Sequence, residues 1–118
     1  MILYTLPYPP SVNGLFFNAT KGRVKTDAYK AWRRAAGNEI MAQGRQRIRG
    51  PVSLSVALVR PDKRRRDLSN TLKAVEDLLV EMQIIDDDSL VQRISLQWVE
   101  SGPACSVIIQ HAEGALAA

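Results

Sequence analysis

Residues 52–59, VSLSVALV, alternate without a break, with Val52, Leu54, Val56 and Leu58 on one side and Ser53, Ser55 and Ala57 on the other. A period of two belongs to a β-strand with one buried face. The period then changes. Leu68, Leu72, Val75, Leu79 and Met82 recur in steps of four and three, the spacing that gathers side chains on one stripe of a helix. A strand and a following helix that each carry one apolar face must bury them, so this stretch dictates a layered fold of sheet and helix. The helix is expected from near Asp67 to about Gln83.

The rest of the chain supplies further layers. Ile2 to Leu6 reads as a short strand, stopped by the turn chemistry of PYPPSVNG, and the segment on to Lys25 reads as a loop. Thr26 or Asp27 then caps a helix to about Gln43, with Ala28, Trp32, Ala35, Ala36 and Ile40 at helical spacing and Gly44 as its stop. After the second helix, LVQRISLQWVE and ACSVIIQ read as two strands joined as a hairpin through Ser101-Gly102-Pro103. The tail from about 112 is expected to fray. The predicted order is β-α-β-α-β-β, an α/β (α+β) fold with a mixed sheet packed with two helices. At 118 residues the chain has room for one core, so residues 1–118 are expected to form a single domain.

Composition removes several function classes. With 46% hydrophobic and 24% charged residues the chain is neither disordered nor a membrane protein, and no run of about 20 apolar residues is present. The N-terminus lacks the pattern of a signal peptide, and the single cysteine, Cys105, has no internal partner and is expected in the core. Both features point to the cytoplasm. Charge is unevenly spread: residues 1–50 carry nine Lys/Arg against two acids (+7), residues 51–75 six against two (+4), and residues 76–118 one against eight (−7). A basic front suits a polyanionic partner.

The densest positive charge lies in RPDKRRRDLSNTLK, where Lys63 to Arg66 run into Asp67. Asp67 reads either as an ordinary helix cap or as part of a site. On the helical wheel Arg66, Asn70, Lys73 and Asp77 fall opposite the apolar stripe, and Lys73 can also simply pair with Asp77 at i+4. Asp86 to Asp88 open the next strand. If the strands after Val52 and Leu90 are neighbours, Asp67 and Asp88 converge at one sheet end, where a hard cation offsets their repulsion. Other chemistries fit poorly. The lone His111 near the tail offers no base for a serine or cysteine nucleophile, and there is neither a glycine-rich phosphate loop nor a Cys/His cluster. No nucleotide cofactor is expected.

Three blocks, LPYPPSVN, RPDKRRRDLSNTLKAVEDLL and IIDDDSLV, together resemble the RusA family of Holliday junction resolvases, small phage and prophage endonucleases. The resemblance spans most of residues 1–100. It implies a homodimer that binds four-way junction DNA and, with Mg²⁺, introduces paired nicks during recombination and repair. Its metal-binding aspartates fall on Asp67 and Asp88, its essential lysine on Lys73, the preceding arginine on Arg66 and the motif asparagine on Asn70. One position departs: Ser69 stands where the family's familiar form has a second aspartate. Either Ser69 holds a water of the ion, or Asp86 or Asp87 supplies the missing charge, or the chain binds junctions and cuts poorly. Lys63, Arg64 and Arg65, with Arg33 and Arg34 of the first helix, are assigned to the phosphate backbone. Phe16 and Phe17 are expected in core or dimer packing rather than as wedges between bases.

Overall fold

The computed structural model describes residues 1–112, so the tail expected to fray lies almost wholly outside the described residues. Strand β1 (Ile2–Leu6) buries Ile2, Tyr4 and Leu6 and exposes Leu3. The prolines end it, and Val12–Gly14 form a 3-10 turn in which Ser11 Oγ accepts from Asn13 N at 3.3 Å. The segment expected to be a loop contains a hairpin, β2 (Phe16–Ala19) with β3 (Gly22–Lys25). Four-residue strands without alternation show no readable period; Gly22, at φ +109, closes their turn. Phe16 packs edge-on against Tyr29 with centroids 5.7 Å apart, whereas Phe17 is 50% exposed.

Helix α1 (Asp27–Gln43) starts where Thr26 Oγ1 accepts from Tyr29 N at 3.2 Å and stops at Gly44. Its buried stripe is Tyr29, Trp32, Ala36 and Ile40, while the expected Ala28 and Ala35 face solvent. Two aromatic rings bury far more apolar area than two alanines, and they set the helix rotation. Strand β4 (Val52–Val59) follows the predicted alternation. Helix α2 (Leu72–Glu81) begins later than expected, because Leu68–Thr71 form a 3-10 turn. Thr71 Oγ1 donates to the Leu68 carbonyl at 2.7 Å, and the run Ser69-Asn70-Thr71 competes with helical hydrogen bonding. The apolar stripe shifts with it: Thr71, Ala74, Val75, Leu78 and Leu79 are buried, whereas Leu68, Leu72 and Met82 are half-buried. Gln83, in a left-handed conformation at φ 59, ends the segment.

The last two strands, β5 (Val91–Val99) and β6 (Cys105–His111), do not form the expected hairpin. The sheet order is β1-β6-β4-β5, with β4 and β5 parallel and the other pairs antiparallel. Strand β6 buries Cys105, Val107 and Ile109 and has the apolar content of a central strand; β5, with Gln92, Arg93, Ser95 and Gln97, tolerates an edge. The parallel β4–β5 pair uses α2 as its crossover. Register aligns the buried side chains in rows across the strands, Ile2–Ile109–Leu54 and Leu6–Cys105–Leu58, and both helices cover this one face. On β5 the rows continue as Ile94 and Trp98, less covered, with Ile94 45% exposed. Cys105 is fully buried, and burial pushes its thiol up to about 12. No helix of the described residues is long and apolar enough to cross a membrane.

Because β6 runs against both its neighbours, β1, β4 and β5 point the same way and end together at one edge of the sheet. The stripe reading has a direct test. Leu79→Ala, at a fully buried position, should cost about 2–5 kcal/mol in denaturant unfolding, and Leu68→Ala about half that or less. Equal losses would show that the helix packs in the register expected from the sequence instead.

Candidate active site at the strand ends

A cavity of about 330 Å³ opens beyond the carboxyl ends of β1 and β4. Tyr8 and Ser11 line it from the segment after β1, and Arg65, Arg66, Asp67, Asn70 and Thr71 from the segment between β4 and α2. The first wall is fixed from α1, where Trp32 Nε1 donates to the Pro7 carbonyl at 3.0 Å. Clefts outside the carboxyl ends of parallel strands are the usual ligand sites of such sheets.

The second wall is held by Asp62, a residue the sequence reading passed over. Arg66 Nη2 and Nε donate to its two oxygens at 2.8 and 3.3 Å, and Arg64 donates its backbone N–H at 3.0 Å. The Arg66 bond, more than any other contact, holds the Asp62 carboxyl down at about 2. The basic run is thus gathered around one carboxylate, and Arg66 is turned toward Tyr8, its Cζ 5.8 Å from the ring centroid. Spacing carried this signal: an acid two residues before one arginine and four before another.

Asp67 does not cap. It precedes the 3-10 turn in an extended conformation, and its side chain accepts no cap hydrogen bond. The acidic turn divides. Asp86 pairs with Arg47, and Asp87 accepts from Ser89 N and Oγ, which lowers both carboxyls. Asp88 opens the short turn Asp88–Leu90 ahead of β5, exposed. Lys73 pairs with Asp77 at 3.0 Å, as its helical spacing allows, and this contact, with smaller contributions from Asp88 and Glu76, raises its pKa. Glu76, also unremarked in the sequence, is half-buried; desolvation and then Asp88 push its carboxyl up.

The strands that Asp67 and Asp88 were expected to join are neighbours, but they are parallel. The end of β4 and the start of β5 therefore lie at opposite ends of the sheet, so strand pairing alone does not bring the two acids together; α2, which follows Asp67 after one short turn, is the element Asp88 acts on, through Lys73 and Glu76 in its first half. Among the described residues, no three His, Cys, Asp or Glu side chains lie close enough to share a metal ion. Ser69 is exposed in the 3-10 turn. Of the assigned DNA contacts, Lys63, Arg64, Arg65 and Arg34 are exposed and Asn70 lines the cavity, while Arg33 is bound to Glu81 with its side chain 18% exposed.

The Asp62 clamp has a pH signature. A carboxyl held below its ordinary 3.8 contributes in full above that pH, and the contribution is lost as pH falls through about 2. NMR titration of the Asp62 side-chain carbon should give a midpoint near 2, and Asp62→Ala should make trypsin cut after Lys63 to Arg66 several-fold faster at neutral pH. A midpoint at the ordinary value would show no clamp in solution.

The segments that build this cavity are also those that relate the chain to known proteins. The family model described as Endodeoxyribonuclease RusA matches residues 7–110. The chain is similar to the crossover junction endodeoxyribonuclease RusA of Escherichia coli, 35% identical over 92 residues that cover 74% of this chain and 73% of that protein. The protein of the same name from Shigella sonnei gives the same identity and coverage. The matched span includes both walls of the cavity, α2 and the acidic turn, and the chain belongs to the RusA family of endodeoxyribonucleases.

Proposed function

We propose that this protein is a Mg²⁺-dependent, structure-selective endonuclease that resolves four-way DNA junctions by paired nicks, working as a homodimer in the cytoplasm. One observation carries the reading beyond family membership: Asp67 is a carboxylate without a cap partner inside a cavity walled by Arg65 and Arg66. An uncommitted acid beside an arginine fixed by Asp62 suits a site that takes a cation and a phosphate together.

The donor set fits Mg²⁺. Asp67 and Asp88 would hold it; both offer hard oxygens, and the Asp67 side chain is not spent on a helix cap. One or two carboxylates suffice for this ion when waters and substrate phosphate complete its shell. When bound it polarises a phosphate and makes water a better nucleophile. Arg66, locked by Asp62, orients the phosphate, and Lys73 neutralises charge that develops on it, a preorganised electrostatic role. Lys63, Arg64 and Arg65 meet the DNA backbone, so junction shape sets selectivity. A two-fold dimer presents two such sites to equivalent strands of a junction.

A second reading has one observation in its favour. Ser69 supplies a neutral hydroxyl and no third acid joins the site, which favours a junction-binding module with weak cutting.

Synthetic four-way junctions, scored separately for binding and nicking, decide between them. Asp67→Asn, Asp88→Asn and Lys73→Ala should each bind within a few-fold of the parent and lose at least about 100-fold in cutting, a loss of roughly 3 kcal/mol of transition-state stabilisation. Chelation of the metal should do the same, and full cutting in any of the three variants would remove that residue from the mechanism. Ser69→Asp separates the readings: activity arising from none supports the binding module, and a modest change supports the nuclease. Replacing Arg64 and Arg65 together by alanine should lower the salt slope of binding by about 2.

A further inference from the structure

The cavity at Asp67 is one of two that meet at a pair of aromatic rings. Tyr8 lines the first; Trp98 lines a second, of about 270 Å³, with Val59, Arg60, Val99 and Glu100. The two rings lie with planes within 4° of parallel and centroids 6.5 Å apart. That distance belongs to an offset stack, which covers only part of each face, and both residues are half-buried. Each ring carries an arginine. Arg60 Cζ sits 4.4 Å from the Trp98 centroid and Arg66 Cζ 5.8 Å from that of Tyr8. Arg60 makes no ion pair or side-chain hydrogen bond among the described residues, so its charge is uncommitted. Trp98 stands in the row Leu6–Cys105–Leu58, sealed on β1, β6 and β4 and open on β5, the edge strand.

We propose that Tyr8 and Trp98 form a stacking platform for one unpaired nucleobase of the cleaved strand, beside the scissile phosphate. The inference rests on the proposed function, since it needs a DNA strand at Arg66 and Asp67. Cation, ring, ring, cation is the alternation by which a protein groove follows single-stranded nucleic acid: charges track the backbone and flat side chains take the bases between. Arg66 then meets one phosphate, Arg60 the next, and the rings hold the base that joins them. Bases at a branch point are more easily unstacked than those within a duplex arm, so the platform ties the cut to the branch. Flat rings bordered by arginines favour a nucleobase over an apolar protein segment, which would leave both cations unmatched. The base on the platform positions the strand; Tyr8 and Trp98 take no part in bond breaking.

The chain has two tryptophans, and Trp32 is buried at 7% exposure, so DNA contact reports on Trp98. In metal-free buffer, a four-way junction should quench tryptophan emission of the parent protein and leave that of Trp98→Phe unchanged. Abasic sites at the nucleotides flanking the cut should abolish the quenching and weaken binding roughly ten-fold. Tyr8→Leu and Trp98→Leu should lose the same ten-fold on the intact junction and nothing further on the abasic one, and Trp98→Phe should restore affinity. Equal losses for the leucine variants on both junctions, or abasic sites without effect on the parent protein, would overturn the platform while leaving the nuclease reading intact. A parent protein with no preference for junctions over linear duplex would overturn both.

Discussion

The parallel pairing of β4 with β5 governs where everything else lies. Parallel neighbours cannot be joined by a tight turn, so the chain must cross the sheet between them, and α2 with its leading 3-10 turn is that crossing. The crossing carries the basic loop away from one end of the sheet and delivers the acidic turn to the other. Strand β6 then enters antiparallel between β1 and β4, which brings the carboxyl ends of β1, β4 and β5 to one edge. Tyr8, Arg60 and Trp98 meet there although they are far apart in sequence. Had β5 and β6 paired as a hairpin, the row containing Trp98 would not extend that of Leu58, and the aromatic pair would not form.

Local chemistry at that edge is set by small departures from regular structure. A helix starting at Asp67 would have used that carboxylate as its cap. The Thr71 hydroxyl, bonded to the Leu68 carbonyl, holds a 3-10 turn instead, and Asp67 makes no side-chain cap bond. Asp62 does the complementary work on the cations. Four adjacent positive side chains would spread apart if left alone, and a carboxylate that binds Arg64 and Arg66 together gives the loop one shape. Of the remainder, Lys63 is exposed, and Arg65, also exposed, lines the cavity. The group that fixes these positive charges is thus itself an acid.

What the sequence showed, and what it hid, follows from the range of the interactions involved. The alternation of Val52 to Leu58, the Thr26 cap and the Gly44 stop are local, and each appears in the structure where the residues indicate. Pairing is not local. Nothing in SGP between two strands reveals that a third strand lies between them; the clue was the unbroken Val107-Ile108-Ile109 run of β6 against the interleaved Gln92, Arg93, Ser95 and Gln97 of β5. The hairpin Phe16–Lys25 escaped notice because its strands are too short for a period and bury little. At the site, motif residues were legible as chemistry but not as geometry. Lys73 was visible both as an i+4 partner of Asp77 and as a motif lysine, and the structure shows the first without displacing the second. Glu76 was invisible because a glutamate on a helix is unremarkable until Asp88 is folded against it.

Net charge is therefore a poor guide to this surface, and partnering is a better one. The acids from the basic loop to the acidic turn fall into two groups. Asp62, Asp77, Glu81 and Asp86 each bind a cation, and Asp87 is satisfied by Ser89. Among the described residues, Asp67, Glu76 and Asp88 stand before, within and after α2 with no ion pair of their own. Lys73 is the cation nearest the last two, and it is already bound to Asp77, so their negative field is only partly offset; burial first, and Asp88 second, push the Glu76 carboxyl up. Unmatched acids at the margin of a surface built for a polyanion would weaken DNA binding if that were all they did. Of the three, Asp67 lines the same cavity as Arg65 and Arg66, and under the proposed function a cation that enters with the phosphate would offset both charges there, which would place the ion's affinity under the control of the substrate.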